Sequence, residues 1–225
     1  MTLDTYLTPT PAIDSDHPQV RRFTQVSVEG IEGVREQAVA IYYAVRDGIR
    51  YDPYRIATRL ESARASATLA NGYGYCVSKA VLMAAMGRVL NIPTRLGFAD
   101  VRNHLTSDKL REVMGSDLFA WHGYVELWIE GRWVKATPAF NLSLCEKTGV
   151  KPLEFDGRTD SIFHPFDASG QRHMEYVTDH GQYADLPLAL LLKEYERHYP
   201  GIMPELERTG GIEGDFEAEA RADIS

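Results

Sequence analysis

The pattern of apolar and polar residues along the chain predicts several helices. An amphipathic helix is expected over residues 31–50, because apolar side chains recur there at helical spacing. These positions are Val34, Ala38, Ile41, Tyr42 and Val45. Residues 76–90 (CVSKAVLMAAMGRVL) are almost wholly apolar, which predicts a helix buried on most sides. Further helices are expected over residues 56–67 and 185–199.

Strand patterns occupy the middle of the chain. Residues 94–101 read as a strand, and residues 121–129 and 132–137 alternate clearly on either side of Glu130-Gly131. Two alternating segments separated by two turn-forming residues predict a β-hairpin. Helices and strands together predict an α+β fold, in which the buried helix packs against an antiparallel sheet.

A two-residue turn fixes the register of the predicted hairpin. In this register two aromatic residues face each other across the strands, and so do two residues of opposite charge, which supports the register. It also makes Thr137 the diagonal neighbour of His122. The expected pairs are Ile129–Arg132, Trp128–Trp133, Glu126–Lys135, Tyr124–Thr137 and His122–Ala139.

The chain is expected to form a single domain over residues 1–204. Prolines interrupt the first part, so residues 1–30 are predicted to be an extended arm. The core is assigned to residues 31–141, followed by loops and one helix over residues 142–204. Residues 205–225 are acidic with few large apolar side chains, which predicts a mobile tail.

Composition and charge exclude several classes of partner. The chain has 225 residues, a net charge of −8 and 44% hydrophobic residues. An acidic protein of this kind is not expected to bind nucleic acid. No apolar run reaches the roughly 18 residues needed to span a bilayer, and the first residues do not resemble a signal peptide. No membrane association is therefore expected, and the predicted localisation is cytoplasmic.

The cysteines and histidines do not suggest a metal or a cofactor. There are two cysteines, Cys76 and Cys145, and seven histidines. Two distant cysteines form no disulfide framework, and the histidines lack a tight ligand spacing. We therefore expect no cofactor, no metal and a structural role for Cys145.

Cys76 is placed for nucleophilic chemistry. It follows a glycine-bearing loop and opens the buried helix, where the helix dipole and free N–H groups favour a thiolate and can stabilise an oxyanion. A cysteine in apolar sequence is also often an inert core residue. His122, on a predicted strand, shifts the balance toward a nucleophile–base pair. Neighbouring candidates for the substrate cleft or the oxyanion site are Asn71, Tyr73, Tyr75 and Trp121.

These motifs, in this order, resemble the transglutaminase-like superfamily. The resemblance rests on Gly-Tyr-Cys76 at the start of an apolar helix, NIPTRLG (91–97), WHGYVE (121–126) and GRWVKATP (131–138). It covers roughly residues 35–140. The superfamily includes bacterial and archaeal cysteine peptidase-like proteins as well as true transglutaminases. The resemblance implies a papain-like α+β core, with Cys76 as the nucleophile and His122 as the base.

The third member of the expected catalytic triad is missing from its usual place. The family usually has an aspartate immediately before the proline of the second hairpin strand, whereas this chain has Thr137 before Pro138. A threonine hydroxyl can accept the imidazole N–H but stabilises an imidazolium less than a carboxylate does. Asn141 is an equal candidate for this role. Asp100 and Asp156 are more remote.

The sequence therefore predicts a thiol enzyme that cleaves or transfers an acyl or amide group. A peptide, a protein or a small amide is the expected substrate, and the sequence does not determine the oligomeric state. A catalytically silent binding module that retains the fold is the main alternative, because of Thr137. An acyltransferase that uses a thioester donor such as coenzyme A is less favoured, because the sequence offers neither a phosphate-binding glycine loop nor a basic cluster.

Overall fold

A computed structural model describes residues 3–103, 112, 114–162 and 174–222 and has an α+β fold. Its helices are α1 (Pro18–Ser27), α2 (Val34–Gly48), α3 (Leu60–Ala63), α4 (Ala65–Asn71), α5 (Cys76–Val89), α6 (Leu142–Thr148), α7 (Leu188–His198), α8 (Met203–Thr209) and α9 (Phe216–Ala222). Its strands are β1 (Arg50–Tyr51), β2 (Tyr73–Gly74), β3 (Thr94–Asn103), β4 (Leu118–Ile129), β5 (Arg132–Ala136) and β6 (Met174–Tyr183).

The main sheet has four antiparallel strands in the order β5-β4-β3-β6. β4 and β5 form the predicted hairpin, and both turn residues have positive φ, 50° at Glu130 and 86° at Gly131. This geometry is the one that two-residue hairpin turns need. A second, two-stranded sheet pairs β1 with β2 in parallel. Its second strand, β2, ends two residues before the start of α5.

The predicted hairpin register is confirmed over β5. The observed pairs include Ile129–Arg132, Trp128–Trp133 and Glu126–Lys135, and the ladder ends at Val125–Ala136. The two further expected pairs, Tyr124–Thr137 and His122–Ala139, are therefore not part of the ladder. Pro138 explains the early end, because proline has no N–H to donate to a partner strand.

Helix α5 is the centre of the core, as the apolar pattern predicted. Every residue from Cys76 to Arg88 is buried. Two glycines let the helix lie close to the sheet. A Cβ at Gly87 would come within 2.4 Å of Thr94 Cγ2, and a Cβ at Gly123 would come within 2.9 Å of the Val77 Cα. A side chain at either position would push the helix away from the sheet.

The N-terminal segment is not the extended arm that the prolines suggested. Pro18 is the first residue of α1, a position where its missing N–H costs nothing. Ala12, Ile13 and Val20 are fully buried in the common core. Residues 1–30 therefore belong to the folded domain as far as the structure describes them.

The C-terminal third also differs from the expectation. The stretch predicted to be loops contains α6 and the edge strand β6, and the described part of the proposed mobile tail, residues 205–222, is folded onto the domain. Leu206 and Ile212 are buried, and the Phe216 ring lies 5.7 Å from that of Tyr51. A few well-spaced apolar side chains are thus enough to pack an acidic segment against the core.

Three of the seven histidines, at positions 104, 164 and 173, lie outside the described residues. Among the helices that are described, none is both long and apolar enough to cross a lipid bilayer.

Candidate active site

Cys76 stands at the N-terminus of α5, as predicted. Gly72, at φ 69°, ends α4 in the left-handed conformation, and the short strand β2 then leads to Tyr75, the extended residue before the helix. Gly74 allows this tight path, because a Cβ there would lie 2.9 Å from the Ser78 Cβ. The glycine loop therefore brings the cysteine to a helix start whose N–H groups have no partners within the helix.

His122 lies on β4 just after a β-bulge. Ala99 of β3 pairs with His122, but Val101 pairs with Phe119, so β4 has one extra residue in this interval. The bulge includes Trp121, which has a positive φ of 55°. Bulges redirect the side chains beside them and are frequent next to active sites.

Cys76 and His122 line the same small cavity. Its volume is about 50 Å³, room for one or two water molecules, since each takes about 30 Å³ in the liquid. Aromatic and apolar side chains make up most of the rest of the wall. They include Tyr51, Tyr75, Phe119, Tyr195, Tyr199 and Ile212. The arrangement brings a thiol and an imidazole together in a nearly dry environment.

The thiol of Cys76 is kept protonated by its surroundings. Its side chain is only 6% exposed, and burial raises the pKa of the Cys76 thiol to about 11. The backbone N–H groups of Gly123, Val77 and Cys76 itself lie near the sulfur and act in the opposite direction. The N–H groups expected from the helix start are thus present, but desolvation outweighs them in the closed site.

The imidazole of His122 is kept neutral for the same reason. Burial lowers the pKa of His122 to about 3. A neutral imidazole can accept a proton, which a base must do. At neutral pH the cavity is therefore lined by an uncharged thiol and an uncharged imidazole.

The two candidates for the third catalytic group have different surroundings. Thr137 is buried, and its hydroxyl forms no hydrogen bond with any residue that the structure describes. The Asn141 Oδ1 accepts the backbone N–H of Tyr51 at 2.9 Å, and its Nδ2 donates to the Ser143 Oγ at 2.7 Å. Asn141 thus ties β1 to the start of α6.

The two remote aspartates also have structural partners. Asp100 accepts the backbone N–H of Trp121 at 3.0 Å and lies 2.7 Å from the Nε2 of His180. Asp156 accepts the backbone N–H groups of Arg158 and Thr159 in an exposed turn. Asp100 therefore holds the backbone of Trp121, the bulge residue that directly precedes His122.

The four residues predicted to line the substrate cleft lie in three different parts of the structure. Tyr75 lines the cavity with Cys76, whereas Asn71 and Tyr73 line a neighbouring pocket. Trp121 is buried away from the cavity wall, with its ring stacked on that of His180 at 4.4 Å. The structure thus brings one of the four beside the cysteine.

Residues that the sequence did not single out also line the cavity, among them Tyr195, Tyr199 and Ile212. Tyr195 and Tyr199 cover part of it, and we call residues 195–199 the C-terminal cover. The Tyr199 hydroxyl anchors the cover to β4, since it accepts the Ala120 N–H and donates to the Leu118 carbonyl at 2.8 Å. The periodicity over residues 185–199 indicates a helix, but it does not indicate where that helix docks.

No metal site accompanies the pair in the ranges that the structure covers. There, no three side chains of His, Cys, Asp or Glu are grouped closely enough to hold an ion.

Comparison with solved structures finds similar chains that are distant in sequence. One is a candidate cysteine protease from Cytophaga hutchinsonii, with 18% identity and a TM-score of 0.48 over 80% of this chain and 54% of that one. Another is a candidate protease from Parabacteroides distasonis, with 17% identity and a TM-score of 0.40 over 63% of this chain and 26% of that one. The present chain thus spans about half the length of the first. A search of curated proteins found no match.

The family assignment rests on the sequence of the core. The family model described as the transglutaminase-like superfamily matches residues 21–138, more than half of the chain. The match includes α5 with Cys76, the β4–β5 hairpin with His122, and Thr137. The resemblance seen in the motifs is confirmed, and the chain belongs to the transglutaminase-like superfamily.

Proposed function

We propose that this protein is a thiol-dependent acyl-transfer or amide-cleaving enzyme with Cys76 as nucleophile and His122 as base. The observation that carries the proposal is the shared cavity, which is lined both by the thiol at a helix N-terminus and by the imidazole on the sheet. Nucleophile and base in one desolvated pocket are the minimum that such chemistry needs.

The mechanism begins from a neutral pair. The Cys76 sulfur attacks the carbonyl carbon of the substrate while the His122 imidazole takes the thiol proton. The backbone N–H groups of Cys76, Val77 and Gly123, which already lie near the sulfur, are available to stabilise the negative charge that develops on the carbonyl oxygen. The imidazolium then returns the proton to the leaving amine, and a thioester remains on Cys76.

Water or an amine completes the cycle. His122 removes a proton from the incoming nucleophile, which attacks the thioester carbonyl, and the thiol leaves with that proton. Water gives hydrolysis and an amine gives transfer. With Thr137 in place of the family's aspartate, no adjacent carboxylate stabilises the imidazolium, so we expect slower turnover than a full triad would give.

Movement of the C-terminal cover would enlarge the site for a substrate. The cavity of about 50 Å³ is smaller than typical small-molecule sites, which have roughly 300–1,000 Å³. Tyr195 lies on α7 and Tyr199 directly follows that helix, outside the main sheet. Displacement of the cover would admit water as well as substrate, and a solvated Cys76 would have a lower pKa than the buried one.

A silent binding module is the second candidate, and two observations favour it. Burial keeps the Cys76 thiol in its less reactive protonated form, and Thr137 supplies no charge to the histidine. In that case the protein would keep the fold and act through its surface.

Trapping of the acyl-enzyme distinguishes the two candidates. Wild-type protein is incubated with peptide amide, activated ester and thioester donors, and the Cys76 peptide is examined by mass spectrometry for an acyl adduct. We expect an adduct in the wild type, none in Cys76→Ala, and acylation slowed by roughly 10²–10⁴-fold in His122→Gln.

Cys145→Ser is the matched control, because it removes the other buried cysteine and should acylate at the wild-type rate. If no donor modifies Cys76 in wild type or Cys145→Ser, the enzyme proposal fails and the binding module is favoured.

A further inference from the structure

A second, larger pocket lies beside the cavity of Cys76. Its volume is about 440 Å³, within the range of small-molecule sites. Ile56 lines both spaces, so the pocket and the cavity adjoin at this residue. Gly74 lines the pocket two residues before Cys76, a backbone distance of at most about 7 Å.

Three arginines line this pocket: Arg55, Arg59 and Arg208. No acidic residue is among the described side chains of its wall. The other polar lining groups are neutral hydrogen-bonding side chains, including those of Thr58, Ser62, Asn71, Ser78 and Thr209. The chain as a whole has a net charge of −8, whereas the charged side chains described in this pocket are all positive.

The arginines are available to a ligand. Arg59 and Arg208 are exposed, and their guanidinium groups form no ion pair or hydrogen bond with any residue in the described part of the chain. Arg55 has one distant partner, with its Nε 3.9 Å from the Asp52 Oδ2. Guanidinium groups bind carboxylate and phosphate through paired N–H donors, and a concave site focuses their field on an incoming anion.

We propose that this arginine pocket, formed by Arg55, Arg59 and Arg208, binds an anionic group of the acyl substrate, a carboxylate or a phosphate. The anion anchors the substrate in the pocket, and the acyl carbon extends past Ile56 to the Cys76 sulfur. That the bound anion is part of a substrate rests on the proposed function. The anion site itself does not depend on thiol chemistry.

The arginine pocket also changes one expectation from the sequence. No basic cluster was visible along the chain, which argued against a phosphate-bearing thioester donor. The structure brings Arg208 next to Arg55 and Arg59 although more than 140 positions separate them in the sequence. The anionic group of the substrate can therefore be the phosphate of such a donor or a carboxylate, and the experiment must distinguish the two.

Titration with simple anions tests the site directly. Amide chemical shifts of the full-length Cys76→Ala variant are followed as inorganic phosphate or acetate is added, with sodium chloride at matched ionic strength as the reference. We expect saturable shifts at Gly74 and Gly210, with a dissociation constant of about 1 mM for the better anion. Arg59→Gln and Arg208→Gln should each weaken binding about tenfold, the loss of one charged hydrogen bond near solvent.

Arg197→Gln is the matched control, because this arginine is 75% exposed on α7 and does not line the pocket. It should leave both the shifts and the affinity unchanged. The proposal is overturned if the shifts do not saturate, if they match those caused by chloride, or if Arg197→Gln weakens binding as much as the pocket variants.

Matched acyl donors then separate the two sources. Donors that differ only in a carboxylate, a phosphate or a neutral amide are compared in otherwise wild-type protein and in Arg59→Gln. We expect Arg59→Gln to raise KM about tenfold for the favoured anionic donor, with kcat and the neutral donor unaffected. Equal KM changes for all three donors would overturn the substrate role. Absence of turnover with every donor would contradict the proposed function, while the titration of Cys76→Ala would still decide the anion site.

Discussion

One oxygen of Asp100 accepts the backbone N–H of Trp121 at 3.0 Å and also lies 2.7 Å from the Nε2 of His180. Trp121 has a φ of 55°, a conformation that costs about 1 kcal/mol or more for a non-glycine residue. The buried carboxylate therefore stabilises the bulge that immediately precedes His122. It connects the edge strand β6 to the candidate base through the backbone.

Replacing Asp100 tests this connection. Asp100→Ala leaves the buried N–H of Trp121 without its acceptor, so the free energy of unfolding should fall by about 1–3 kcal/mol. A shift of His122 by about 1 Å would lower acyl turnover by about 100-fold. Denaturant unfolding and the acylation assay measure the two effects. Asp117→Ala is the control, because its 3.3 Å ion pair with Arg102 is half exposed and is worth about 0–1 kcal/mol. Equal losses in both variants would contradict the role of Asp100.

The contact between β4 and α5 should be intolerant of any side chain at Gly123. Gly123→Ala places a Cβ 2.9 Å from the backbone of Val77, next to Cys76, so the helix start must move. We expect a loss of about 1–3 kcal/mol in unfolding free energy together with a loss of acylation. Gly201→Ala is the matched control, since nothing lies within 4 Å of its Cβ position. Wild-type acylation by a folded Gly123→Ala protein would show that the close approach is not needed.

Substitution of Thr137 tests whether its hydroxyl orients the imidazole. The hydroxyl is buried and forms no hydrogen bond within the described residues, so Thr137→Val should keep the stability of the wild type or raise it by about 1 kcal/mol. The acylation rate of the variant should stay within about twofold of the wild-type rate. This corresponds to less than about 0.5 kcal/mol, the lower end of the net contribution of one hydrogen bond. A tenfold loss of acylation with unchanged stability would instead assign Thr137 to the catalytic group.

Burial of His122 predicts a defined dependence of stability on pH. Burial lowers the pKa of His122 from 6.5 to about 3. Below pH 6.5 the unfolded chain therefore binds a proton at this residue that the folded protein does not. The free energy of unfolding should fall as the pH decreases from 6.5 toward 3, and His122→Gln should reduce the slope by up to about 1.4 kcal/mol per pH unit. Urea unfolding across this range measures the slopes. An imidazole resonance of His122 that titrates near 6.5 in the folded protein would contradict this prediction.

Local patterns were enough to predict the elements that carry the candidate pair. The apolar run over residues 76–90 predicted α5, because a helix buried on all sides needs few polar residues. Glu130-Gly131 predicted the hairpin and its register, because a two-residue turn leaves only one way to pair the strands. Both properties depend on near neighbours in the chain, so the sequence alone places Cys76 at a helix start and His122 on a strand.

The tertiary structure decided everything that depends on distant segments. Residues 205–225 look like a solvated tail by composition, yet Leu206, Ile212 and Phe216 pack against the core, because burial depends on where a few apolar side chains meet a surface. Ile212 of this segment also lines the cavity, where burial keeps Cys76 protonated, whereas the helix start by itself favours a thiolate. The fold also unites Arg208 with Arg55 and Arg59. The sequence by itself thus determined the family and named Cys76 and His122 as the candidate pair. Only the folded chain decided the burial of that pair and the arginine pocket near it, since both arise from residues far apart in sequence.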